Sequence, residues 1–224
     1  MNGFEKFREQ HHPGTVESGR EYHLRKYLRE TDQAFAKNLA QRYREVVPSD
    51  HIKKMEELPT RFEDRKGFDR SYRKAGGEMP GADAKVLGFS RQALESAHVA
   101  TDHLEVSRTI MHERIHQLAD PRSRVLLGKK FHEGVTEDLA IENVGTKPVR
   151  EPAYPKETRL AREVRNICGN RAIEKAYFQG DTRELRSCLD RIVGPGGLER
   201  IRNLAADLPP LDPNLRNKEV REHE

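Results

Sequence analysis

The sequence predicts a mainly helical (α+β) chain, with a short β-hairpin or small sheet ahead of one central helix and extra helices at the N-terminus. Three observations predict it. Apolar residues recur at three- and four-residue intervals over 22–47 and again from about 104 to 208. Only two short stretches, Val86 to Phe89 and His98 to Ala100, read as β. Apolar residues make up 34% of the 224 positions and charged residues 35%, so the helices have narrow buried stripes and broad solvated faces.

Residues 1–20 are polar, hold the pair His11–His12, and read as a loose end. Residues 22–47 form a charged helix whose stripe is Leu24, Leu28, Phe35, Leu39, Tyr43 and Val47, closed by Pro48. Ser49 or Asp50 then caps a short helix that runs to Leu58. Residues 60–85 are charged and then glycine-rich, which predicts a mobile connector. The expected organisation is an N-terminal polar helical region over 1–85, a main domain over 86–208, and a frayed tail over 209–224.

Composition excludes several classes of function. No run of about 18 apolar residues exists, so no membrane span is expected. The first residues have no apolar segment of the kind a cleaved secretory signal carries, so the chain is expected in the cytoplasm, or exported without such a signal. There are 41 basic and 37 acidic residues, mixed in sign throughout, and no Trp, so nucleic-acid binding is not expected. Cys168 and Cys188 are too few and too far apart for a disulfide framework or a Cys-rich zinc site, and they are expected to be reduced helix residues.

Residues 112–116 read His112-Glu113-Arg114-Ile115-His116, an H-E-x-x-H pattern. Four residues advance a helix by about 400°, so the two imidazoles share one face about a turn apart and can grip one zinc ion. Glu113 stands beside them, within reach of a water. Asp102 is the expected N-cap of this helix, with Glu105 in the capping-box position. Val106, Ile110, Met111, Ile115 and Leu118 form its apolar arc. Arg114 falls inside that arc, against the pattern.

A zinc site needs a further ligand. The continuation H-E-x-x-H-x-x-G-x-x-H is excluded, because the chain has Ala119 and Arg122 where it requires glycine and histidine. The alternative is a glutamate on the next helix. There Phe131, Val135 and Leu139 make an apolar line while Glu133 and Glu137 share another face. A helical hairpin turning through Pro121–Gly128 would bring that face back to the histidines.

With His132-Glu133-Gly134-Val135-Thr136-Glu137 following the first motif, the chain resembles the gluzincin, thermolysin-like zinc peptidases, in which an Asn-Glu-x-x-Ser-Asp helix supplies the third ligand. The resemblance implies a zincin-like fold with one Zn2+ held by His112, His116 and Glu133. It implies Glu113 as general base and Glu137 as the carboxylate that orients His112. The departures are His132 for Asn, Thr136 for Ser and Glu137 for Asp, and His132 stands where it could compete as a ligand. More loosely, Tyr154-Pro155 and Ala176-Tyr177-Phe178-Gln179-Gly180-Asp181 resemble small bacterial metallopeptidase domains that also serve as toxin modules.

The function expected is peptide-bond hydrolysis, with a protein or peptide substrate and, for an effector, an immunity or delivery partner. Tyr154 and His98 are candidates by residue type to donate to the oxyanion, Tyr154 being preferred as a catalytic residue. Tyr177 and Phe178 are expected to pack a helix end, and His98 to Ala100 to offer an edge to extended peptide. The N-terminal helices could cover the cleft as a pro-segment. Two other readings stay open: a non-catalytic, zinc-stabilised helical interaction domain, and a charged helical adaptor without metal.

Overall fold

Helix α1 (Gly19–Tyr43) opens the computed structural model, which describes residues 19–75, 88–89, 96–101, 105–145, 152 and 154–208. Its buried stripe is Leu28, Leu39 and Tyr43, whereas Leu24 is exposed, so burial starts one turn later than the apolar spacing suggests. The helix ends at Tyr43, and a turn in which the amides of Val46 and Val47 donate to the Tyr43 carbonyl carries the buried Val47. Helix α2 (Ser49–Glu57) follows. Its N-cap is Pro48, with no side-chain cap, so neither Ser49 nor Asp50 has the capping role expected of it.

The stretch read as a connector contains structure. Strand β1 (Arg61–Glu63) and helix α3 (Arg65–Lys74) occupy most of its first half. Asp64 caps α3 by accepting from the Gly67 amide at 2.7 Å. Phe68 is the buried residue of that helix, with the Phe89 ring edge-on at 5.4 Å. One aromatic anchor in a charged sequence gives little periodicity to detect. The glycine-rich residues 76–87 lie outside the described set, as do residues 1–18, Asp102 and the tail from 209.

Strands β2 (Gly88–Phe89) and β3 (His98–Ala100) complete a three-stranded sheet of order β1-β3-β2. Strand β1 runs parallel to β3, pairing Phe62 with Val99, and β2 runs antiparallel to it, pairing Gly88 with Val99. Strand β3 is therefore flanked on both sides and has no free edge for a peptide; among the described residues the edges are β1 and β2. This corrects the expected role of His98 to Ala100.

The remaining helices are α4 (Val106–Leu118), α5 (Ser123–Leu127), α6 (Lys129–Val144), α7 (Pro155–Cys168), α8 (Asn170–Phe178), α9 (Arg183–Val193) and α10 (Gly197–Asp207). Met111, Ile115 and Leu118 of α4 meet Phe131, Val135 and Leu139 of α6 in one core. Fully burying each such side chain contributes about 1.5–3 kcal/mol. Tyr43 and Val47 belong to the same core, and the Tyr43 ring lies 4.7 Å from that of Phe178 in α8. The N-terminal helices thus share a hydrophobic interior with α4, the helix of His112 and His116.

Helices α6 and α7 approach at Gly134, where a Cβ would come within 2.3 Å of the Glu157 carbonyl oxygen. Cys168 and Cys188 form a disulfide between the end of α7 and the middle of α9. The expectation of two reduced cysteines is corrected: α8 intervenes as a short helix and returns the chain, bringing residues 20 apart in sequence to 5.7 Å between Cα atoms.

Candidate metal centre

Helix α4 begins at Val106, with Glu105 as N-cap and no side-chain cap, so the expected capping box does not form. Its apolar residues fix the rotation of the helix in the core, which turns His112 and His116 toward α6. The bend through α5 returns the chain, and the Phe131–Val135–Leu139 line sets the rotation of α6 in turn. Glu133 and Glu137 then face the histidines, as the spacing predicts.

The Nε2 atoms of His116 and His112 lie 3.1 and 3.5 Å from the same oxygen, Oε2 of Glu133. One ligand atom from each of the three residues falls within 4.8 Å of the others. Two imidazoles and a carboxylate oxygen converging this closely are the donor set of a divalent-metal site. The fit is supported by Glu113, which is 4% exposed and whose Oε2 is buried with no hydrogen-bond partner among the described residues.

Glu137 orients His112 as expected, its Oε2 standing 2.8 Å from Nδ1. Its other oxygen faces Arg108 Nε at 3.2 Å. Arg108 precedes His112 by one helical turn, a spacing that would have revealed it. The second oxygen of Glu133 faces Arg124 of α5 at 3.4 Å. Glu137 is thus divided between one imidazole and a guanidinium, and Glu133 between two imidazoles and a guanidinium.

These charges set the titration of the site. Burial works against a charged His112, but the hydrogen bonds to Glu133 and Glu137 outweigh it and push the imidazole up to about 10. Burial also disfavours charge on Glu133, yet the adjacent His116 and His112 hold its carboxyl well below the ordinary range. Burial raises Glu113, and the histidines only partly offset that. A buried carboxyl shifted upward beside such a donor set is suited to taking and returning a proton.

His132 does not join the converging donor set of His112, His116 and Glu133. Ser123 Oγ gives its proton to the Asp120 carbonyl at 2.7 Å, so at the 3.0 Å contact His132 Nε2 must be the donor to Ser123. Burial, aided by nearby His116, pushes His132 down to about 3. It acts as a neutral spacer, stacked between the rings of His116 (5.3 Å) and Tyr177 (4.7 Å).

Tyr154 lies at the rim of the site, 37% exposed, with its ring near-parallel to His112 at 6.3 Å. His98 is engaged elsewhere: its Nδ1 meets Glu63 at 3.2 Å and its ring stacks on Phe89. Tyr177 does pack within the core, but its hydroxyl also enters the site, 3.4 Å from His116 Nδ1. Nothing local in the sequence marks a tyrosine 61 residues beyond the histidine it approaches.

Strand β2 passes directly over Glu113. A Cβ at Gly88 would stand 2.8 Å from Glu113 Oε1 and 2.6 Å from Thr109 Cγ2. Only glycine lets the backbone come this near the carboxylate.

No family model, curated protein or solved structure matches the chain. Among the described residues no helix is long and apolar enough to cross a membrane.

Proposed function

We propose that the chain is a zinc-dependent peptidase of gluzincin type, in which His112, His116 and Glu133 hold the ion. The observation that carries the reading is the juxtaposition of that three-residue donor set with a buried glutamate whose carboxylate oxygen has no partner among the described residues. A purely structural ion has no need of Glu113. Zinc, when bound, polarises a peptide carbonyl and lowers the pKa of a coordinated water to about 7.

The residues of the chain divide the remaining work. Glu113 takes the proton of the attacking water and returns it to the departing amine. Glu137 holds the His112 ring through Nδ1, and Arg108 holds Glu137. Extended peptide lies along the β2 edge, where Gly88 brings backbone next to Glu113. Tyr154, at the rim, donates to the oxyanion. A toxin or effector role with a delivery or immunity partner belongs to the same reading and is carried by the resemblance alone.

The test compares wild type, Glu113→Gln and His116→Ala for bound zinc and for cleavage of an unstructured protein such as casein. Wild type and Glu113→Gln should each hold about one zinc per chain, with cleavage falling on the order of 10²–10⁴-fold in Glu113→Gln. His116→Ala should lose both. Zinc retained by a wild type that cleaves nothing across a panel of unfolded proteins and peptides would leave the non-catalytic, zinc-stabilised domain.

A further inference from the structure

We infer that Tyr177 is a positioning residue of the metal centre: it fixes which nitrogen of His116 faces the ion. The inference rests on the zinc reading above and follows from the direction of one hydrogen-bond chain.

Thr136 lies in α6, one turn beyond His132. Its hydroxyl donates to the His132 carbonyl at 2.9 Å, the back-bond a helical threonine commonly makes. A hydroxyl has one proton, so Thr136 has none left to offer. Tyr177 Oη lies 2.6 Å from Thr136 Oγ1, and in that contact the tyrosine is therefore the donor. With its own proton committed, the Tyr177 oxygen faces His116 Nδ1, 3.4 Å away, only as an acceptor. The chain runs one way: His116 Nδ1–H to Tyr177, Tyr177 to Thr136, Thr136 to the His132 carbonyl.

An imidazole with its single proton on Nδ1 keeps the lone pair of Nε2 for a metal, and Nε2 is the atom that converges on Glu133. Tyr177 and Thr136 are both fully buried, so no water competes for these groups. The ring stack of Tyr177 on His132 and of His132 on His116 holds the planes in place. The two histidines are thus secured differently: His112 by the carboxylate of Glu137, and His116 by a neutral phenol on a helix distant in sequence.

The test measures zinc affinity by competition with a chromogenic chelator for wild type, Tyr177→Phe, Thr136→Val and the double variant, with the melting temperature of each metal-free protein. Tyr177→Phe keeps the ring and its packing and should weaken zinc binding about 10–100-fold. Thr136→Val should also weaken it, although Thr136 does not touch His116. Without its acceptor, the Tyr177 proton turns toward Nδ1 and favours the tautomer that cannot bind. The double variant should be no weaker than Tyr177→Phe alone, because the threonine acts only through the phenol. Losses that simply add, or that track melting temperature, would mean a packing role and overturn the inference. So would Tyr177→Phe binding zinc as tightly as wild type. A wild type that takes up no zinc overturns instead the peptidase reading on which it rests.

Discussion

The guanidinium of Arg114 grips both oxygens of Asp32 inside the protein, Nε to Oδ1 at 2.7 Å and Nη2 to Oδ2 at 2.6 Å. Its remaining donor reaches the carbonyls of Met55 and Leu58 and the side chain of Gln117, while Thr60 donates to Asp32. This accounts for an arginine within the apolar arc of α4. Arg114 lies two residues from each histidine of the motif, about 200° around the helix. Asp32 of α1 and Met55 of α2 therefore meet α4 on the side turned away from His112 and His116.

Removing Asp32 leaves a buried cation without its counter-charge. Asp32→Ala should destabilise the fold by about 3–5 kcal/mol, read from urea unfolding of the metal-free protein. A loss below about 1 kcal/mol would mean that the N-terminal helices are not clamped to α4 through this pair.

At Gly88 the expected effect is on chemistry more than on folding. Gly88→Ala places a methyl 2.8 Å from Glu113 Oε1 and 2.6 Å from Thr109 Cγ2, so these groups or the strand must shift. Cleavage should fall by at least about tenfold while bound zinc stays near one per chain, since even small misplacement of a catalytic group is costly. Unchanged cleavage in this variant would argue against β2 as the strand that meets Glu113 and substrate together.

Disulfide Cys168–Cys188 closes a loop with a sequence separation of 20. Loop-closure entropy assigns such a crosslink roughly 3 kcal/mol. Cys188→Ser, or reduction of wild type with dithiothreitol, should lower unfolding free energy by a comparable amount, and reduction should not further destabilise the variant. Equal stability of oxidised and reduced wild type would contradict this.

Alkaline stability should be limited in part by Tyr43. Burial raises its phenol from 10.0 to about 12, although the hydrogen bond from Asn143 and the charge of Arg42 oppose the shift. The folded state thus prefers the neutral phenol. Its contribution is complete below pH 10 and disappears as pH rises toward 12, a loss of about 2–3 kcal/mol by linkage. Tyr43→Phe should flatten that part of the pH–stability curve measured by denaturant titration. The buried phenols of Tyr177 and Tyr154, also raised by burial, contribute to the remaining slope.

The convergence of His112, His116 and Glu133 was legible because its information is local. His112 and His116 are four apart on one helix, as are Glu133 and Glu137, and helical periodicity alone assigns each pair a face. The apolar lines on α4 and α6 then say that those faces meet. Strand β1 and helix α3 escaped notice because three strand residues and a single buried Phe68 carry no period. The capping box failed because α4 begins at Val106, after Glu105, with no side-chain cap.

What the sequence determined by itself is the helical class, the rotation of α4 and α6, and which two histidines and which glutamate converge beside Glu113. The tertiary structure alone decided the rest: that Arg114 is satisfied by Asp32 82 residues away, that Tyr177 reaches His116, that Gly88 lies against Glu113, and that Cys168 meets Cys188. The physical reason is range. Periodicity reports which side of a helix is buried, but the partner of a buried polar group is chosen by how distant segments pack, and one chain's pattern carries no record of that choice.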